Sequence, residues 1–322
     1  MLLRVILLAI AGIFAFVPPA GAQSPWPAKP VRLIVPFPPG AGTDTIARFI
    51  AQKLGEAVNA SIVVDNRTGA GGAIGAAEAA RADADGYTLL FVASPFTTVA
   101  AASKKAGYDP VGQFAAVASI AAGPLAFVVG EAVPANTMQE FIALAKANPG
   151  KLNYGSAGTG GINHLALELL KARTGVDIVH VPYRGIADAT KDLLSGQIQA
   201  MTASIPATLA YSGDRRFKVL AITGPSRVDL LPDVPSWQDA GVTNATVVNY
   251  WGIVAPAGTP RDIVVRLNAE TQKLLQQADV KARLAREGTE LLPGTPEQFA
   301  SLIERDLQAW KKLIADANLK LD

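Results

Sequence analysis

The sequence predicts an α/β fold built mostly on parallel sheets. Short β-branched runs alternate with helix-period patterns along the chain, and glycine-rich segments recur between a strand and the helix that follows it. Length sets the scale: 322 residues suggest about two domains and a core that needs no staple.

Residues 31–35 (VRLIV) form the first strand, PFPPGAG at 36–42 is a loop, and 43–58 is a helix. Ile46, Phe49, Ile50 and Leu54 recur on one face of that helix. A strand at 61–64 leads through GAGG at 69–72 into a small-residue helix ending near 82. Asp85 and Gly86 make a turn before a third strand at 87–93. The apolar stretch 114–129 is interrupted by Gly123 and Pro124, so it reads as two buried strands with a turn between them. The pattern then restarts, with a strand at 125–129, a helix at 138–147 and a stop at NPG, 148–150. A strand at 152–155, the loop SAGTGG at 156–161 and a helix to about 173 follow. Next come a strand at 178–181, a helix at 187–194, and strands at 198–202 and 218–222. A strand-like segment at 247–254 enters PAGTP at 256–260, and helices over 261–277, 279–286 and 296–317 close the chain.

Composition excludes several classes. Half the residues are apolar, 17% are charged and the net charge is +2, so the chain is not intrinsically disordered. With no cysteine there is no thiolate zinc site, iron–sulfur cluster, disulfide or cysteine nucleophile. His164 and His180 are the only histidines, too few for a multi-histidine metal centre, and neither a metal nor a cofactor is expected. Twenty-nine basic residues against 27 acidic ones leave no basic block for nucleic acid. Arg4, the apolar run 5–17 and the small residues Ala20, Gly21 and Ala22 form a signal peptide, residues 1–22, cleaved after Ala22. Its 13 apolar residues are too few to span a bilayer. The mature chain, starting at Gln23, is therefore expected free in a periplasm.

Two glycine-rich loops carry the functional signal: PGAGTD at 39–44 and SAGTG at 156–160. A loop of this kind lets backbone N–H groups converge on an anion at the positive end of a helix. In parallel sheets such loops lie beyond the carboxyl ends of the strands, where ligands bind. Tight helix–strand packing would use the same glycines, and spacing alone does not separate the two uses. Neither loop has phosphate-loop or dinucleotide spacing. Ser156 lacks the first glycine of a G-x-S-x-G elbow, although His164 follows it closely on the next helix, so a hydrolase using that pair is the competing reading. Arg184, after the strand at 178–181, sits where it can pair with a carboxylate.

Taken together, the blocks PVRLIVPFPPG (30–40), DNRTGAGG (65–72), DGYTLL (85–90), ANPGKLNY (147–154), HVPYRG (180–185), LPDVP (231–235) and APAGTP (255–260) resemble the Bug-type extracytoplasmic solute receptors of tripartite tricarboxylate transporters. The resemblance covers essentially the whole mature chain. It implies two Rossmann-like lobes, joined by two crossings, that close like a Venus flytrap on a small organic anion. Residues 23–123 with 250–322 would form one lobe and 124–249 the other, the place of the C-terminal helix being left open. Carried over residue by residue, Ser156, Gly158, Thr159 and Gly160 would grip the carboxylate, opposite Phe37, Pro39, Gly40, Ala41, Gly42, Thr43 and Asp44. Ordered waters would mediate many of these contacts. Asp44 is expected at the water-filled edge, and Ser94 in the pocket lining. Members often carry glycine where this chain has Ala41, and an aspartate where it has Ala203, which favours a plain carboxylate over an amino acid. The implied partners are membrane permease subunits, with the receptor a monomer. A sensory receptor subunit is a further alternative.

Overall fold

The computed structural model describes residues 26–40, 42–211 and 213–319. The signal peptide and Ala41 lie outside the described residues. The chain runs β1 (Val31–Val35), α1 (Gly42–Val58), β2 (Ile62–Asn66), α2 (Ala73–Ala80), β3 (Thr88–Ala93), α3 (Pro95–Ala102) and β4 (Phe114–Gly130). It continues through α4 (Met138–Ala147), β5 (Asn153–Ser156), α5 (Ile162–Thr174), β6 (Val179–Pro182), α6 (Ile186–Leu194), β7 (Ala200–Ser204), α7 (Ile205–Leu209) and β8 (Phe217–Ile222). The last elements are β9 (Val248–Pro256), α8 (Arg261–Leu274), α9 (Ala278–Arg286), β10 (Glu290–Leu291) and α10 (Pro296–Asp316).

The strands follow the order β2-β1-β3-β9-β4-β7-β5-β6, with β8 and β10 also paired to β4. The flanks carry the expected parallel βαβ units: β1 pairs parallel with β2 and β3, and β5 with β6 and β7. Antiparallel pairing is confined to the middle, around β4 and β9.

One element departs from the sequence reading. Residues 114–130 form a single strand that runs through Gly123 and Pro124 without a turn. Residues 114–124 of β4 pair with β9, and from Leu125 onward the strand pairs with β7 and β8. Pro124 stands where the strand changes partners, so its missing N–H breaks no ladder. Two short helices, α3 and α7, also replace expected irregular segments. Each begins at a proline in its first turn, the position where proline is tolerated.

Separate apolar clusters back the two sets of strands. Leu33, Ile50, Leu54, Phe91 and Ile253 belong to one, and Phe127, Phe141, Tyr154, Leu165 and Trp237 to another. Helix α10 serves both sides, placing Phe299 and Ile303 against β3 and β9 residues and Trp310 and Leu313 in the Phe127–Trp237 cluster. Its start is fixed by a capping box between Thr295 and Gln298.

Gly252 of β9 is where α10 comes closest. A Cβ there would lie 2.3 Å from the Phe299 ring and 2.7 Å from the Ala118 carbonyl oxygen. Gly252→Ala should therefore cost about 2 kcal/mol through overpacking, a fall in melting temperature of roughly 4 °C. Thermal unfolding of the purified variant measures it; an unchanged midpoint would mean that α10 is loosely seated.

Candidate functional site

The carboxyl ends of β1, β2, β3, β5, β6 and β7 all lead into loops that start helices. The loop after β1 is held by a buried carboxylate. Asp44, 1% exposed, accepts the Gly40 N–H at 2.8 Å, Arg48 Nε at 2.9 Å and Asn66 Nδ2 at 2.7 Å. Asn66 Nδ2 also donates to the Phe37 carbonyl, and Arg48 to Asn66 Oδ1. Burial opposes the charge, but hydrogen bonds from Arg48, Asn66 and Gly40 outweigh it and keep the carboxyl below its ordinary range. The expectation of Asp44 at a water-filled edge thus needs correcting: the side chain is turned inward as a brace.

Around that brace, Pro39, Gly40 and Gly42 are exposed, and Gly40 adopts φ +81°. Thr43 Oγ1 accepts a hydrogen bond from Trp251 Nε1. Phe37 lines an apolar crevice of about 10 Å³ with Gly71, Gly72, Ala93 and Phe96, too small and too apolar to hold a ligand. Ser94, at the start of α3, is buried. Its hydroxyl accepts the Tyr250 N–H and donates to the Val248 carbonyl, so it ties α3 to β9.

The loop after β5 is built differently, on neutral groups. Ser156 is fully buried, with Oγ 2.7 Å from His180 Nε2, and it accepts the Gly158 N–H at 3.2 Å. Gly160 N–H donates to His164 Nδ1 at 3.0 Å. Gly158 at φ +122° and Gly160 at φ +77° require glycine. The loop amides left without a partner among the described residues are those of Ala157 and Thr159, just before the uncapped start of α5. The unpartnered donors therefore sit beside the glycines rather than on them. Asn163, in the first turn of α5, spans to Thr202 at the end of β7.

Helix α3 lies between the segment after β2 and the loop after β5. A Cβ at Gly71 would lie 2.9 Å from Val99, and one at Gly160 would lie 2.8 Å from Ala102. Gly71 also borders the Phe37 crevice. Arg184 is exposed and makes no hydrogen bond or ion pair among the described residues. It directly follows Tyr183, whose carbonyl oxygen lies 3.8 Å from the Cβ position of Gly158. Ala203 packs with Ala126, Val128 and Met201 in an apolar cluster, so the position anticipated for an acid lies in core.

The Ser156–His164 pairing of the hydrolase reading does not form. The ring at Ser156 is His180, and no carboxylate hydrogen-bonds that ring. Glu168 instead accepts from Tyr154 Oη at 2.6 Å and Lys171 Nζ at 2.8 Å. A fully buried hydroxyl already engaged by Gly158 is not presented to a substrate. Sequence reasoning missed His180, Asn66 and Asn163 as loop braces. Only the neighbouring positions of Tyr154 and His180 on adjacent strands reveal the first. Among the described residues no cluster of three metal-ligating side chains occurs.

Comparison with known proteins fits this geometry. The description "Tripartite tricarboxylate transporter family receptor" belongs to a family pattern that matches residues 46–319. Among solved structures, Rpa4515 of R. palustris with adipate is 33% identical, covers 91% of this chain and 98% of its own, and superposes with a TM-score of 0.84. The periplasmic binding protein BugD is 31% identical over 92% of this chain and 99% of its own, at 0.82. MatC of Rhodopseudomonas palustris with bound malate is 29% identical over 89% and 99%, at 0.81.

Two outcomes test these braces. Asp44→Ala strands the Asn66 amide and the Gly40 N–H, and should cost about 2 kcal/mol of stability in chemical denaturation; a loss under about 0.5 kcal/mol, the size of an ordinary surface effect, would mean that the carboxylate is not a brace. Burial lowers the pKa of both His164 and His180 to about 4, so the rings are neutral when folded, whereas the unfolded chain protonates them near 6.5. Between these values the unfolded state binds more protons. Stability should hold above pH 6.5 and fall toward pH 4, by up to about 1.4 kcal/mol per pH unit for each ring.

Proposed function

This chain belongs to the tripartite tricarboxylate transporter receptor family, and we propose that it captures a small organic dicarboxylate and hands it to the membrane permease of such a transporter. The observation that carries the reading is the loop at 156–161, where partnerless amides of Ala157 and Thr159 precede an uncapped helix start. Arg184, exposed and without a partner among the described residues, follows Tyr183, whose carbonyl is near Gly158, and would supply a positive charge for a second carboxylate. The adipate and malate of two similar receptors are both dicarboxylates, which supports the class. Nothing in the site offers an activated nucleophile, so the ligand would be bound and released unchanged.

In this proposal residues 23–123 and 250–322 make one lobe and 124–249 the other, with β4 and β9 as the two crossings. Helix α10 rests on both. Phe37, Pro39, Gly40, Gly42 and Thr43 would face the ligand from the first lobe, through waters. The leader at 1–22 directs the chain to the periplasm, where the mature protein acts as a monomer.

Thermal shift with adipate, malate and acetate tests the reading. At 100 times its dissociation constant a true ligand adds about 2.7 kcal/mol of stability. The dicarboxylates should raise the melting temperature by several degrees and acetate should not. A ligand-stripped preparation that responds to no organic acid would overturn the proposal. Gly158→Val should abolish the shift, because valine cannot hold φ +122° and would fill the open space beside the loop, while the circular dichroism spectrum, set by the strands and helices, stays in place. Arg184→Gln should weaken dicarboxylate binding about tenfold; unaltered affinity would remove Arg184 from the site.

A further inference from the structure

Behind the 156–161 loop lies a stack of rings that the binding reading does not use. His164 and His180 are parallel at 3.7 Å between centroids and 11° between planes. Tyr154 continues the stack beside His180 at 5.0 Å. Each imidazole holds a different point of the loop: His180 Nε2 holds Ser156 Oγ, and His164 Nδ1 takes the Gly160 N–H. The second bond needs a bare Nδ1, because a protonated nitrogen cannot accept. Neutral His164 then carries its proton on Nε2, which faces Glu168 Oε1 at 4.0 Å.

We propose that His164 and His180 are positioning residues for the anion cradle, neutral rings that fix the loop, His164 by accepting the Gly160 N–H and His180 as the hydrogen-bond partner of Ser156 Oγ, so that the Ala157 and Thr159 amides point outward. This rests on the reading of that loop as the carboxylate site. Were Gly160 N–H released from His164, the loop could turn it toward the ligand space and lose the φ +77° conformation that packs Gly160 on Ala102. Similarly, Ser156 Oγ accepts the Gly158 N–H, lies 3.0 Å from the Gly158 carbonyl oxygen and 2.7 Å from His180 Nε2, and so couples the loop to β6. Burial is the chief cause of the neutral state of both rings, and of the charged groups around them Glu168 alone favours a positive charge, on His180. Glu168 is engaged by Tyr154 Oη and Lys171 Nζ rather than by either ring, and Lys171 opposes a positive charge on both. On the far side, Asp306, Lys312 and Asp316 of α10 line the groove that Glu168 and Lys171 also border.

Isosteres separate acceptor function from bulk. The amide oxygen of asparagine falls near imidazole Nδ1 and that of glutamine near Nε2. The experiment compares His164→Ala with His164→Asn and His180→Ala with His180→Gln at pH 7.5, by calorimetric titration with adipate and malate. In parallel, hydrogen exchange is followed in the 156–161 peptide of the unliganded proteins. Each alanine variant should lose at least tenfold in affinity and exchange the loop amides at least tenfold faster. The two isosteres should recover most of both. Alanine variants that bind and exchange like the wild type would overturn the proposal, as would isosteres as damaged as the alanines, which would make ring bulk the cause. If no acid binds the wild type while exchange follows the acceptor pattern, the positioning role stands and the carboxylate reading fails.

Discussion

A helix that begins at the end of a strand exposes N–H groups that have no acceptor within it, and the ligand-facing edge of this protein is a row of such starts. Something must occupy or orient those donors. Some loop amides are bound internally, and by that means others stay open in a defined direction. Gly40, Gly158 and Gly160 commit their N–H groups to side chains, while Ala157 and Thr159 keep theirs. A cradle held before the ligand arrives loses little ordering entropy on binding.

The internal acceptors differ in charge between the two loops. The loop after β1 is held by an ionised Asp44, neutralised by Arg48. The loop after β5 is held by a serine hydroxyl and a neutral imidazole. The Asp44–Arg48 pair behind the first loop is compensated, and the side chains that hold the second are neutral. In the proposed site the open amides of Ala157 and Thr159 suit the second loop to the primary grip, and the first, with Thr43 locked to Trp251, to contact through solvent.

Much of this is legible in the sequence and some is not, for physical reasons. The flanking βαβ units are readable because strand and helix periodicity are local. The Gly123–Pro124 pair reads as a turn and is not one, because proline's penalty depends on whether a partner strand needs its N–H, and the partner change at that residue is a tertiary fact. Asp44 is expected at the cleft because the resemblance carries it over with the glycine-rich loop. Its burial comes from Asn66 and Arg48, one of them 22 residues away. The role of His180 is invisible in the sequence because its register against Tyr154 arises only when β5 and β6 pair.

Helix α10 constrains how such a cleft can move. Its first half is packed by Phe299 and Ile303 and its second by Trp310 and Leu313, in different apolar clusters. Between them Asp306 reaches Thr97 of α3, and Thr97 lies 3.2 Å from Tyr250 Oη of β9. Peeling the second half away would expose a tryptophan and a leucine, about 4 kcal/mol, and would break the hydrogen bond from Thr97 to Asp306. A ligand of micromolar affinity has about 8 kcal/mol in all. A motion that uses half of that to detach one helix would leave little for binding. Any opening is therefore best accommodated by bending in β4 and β9, with α10 kept on both surfaces.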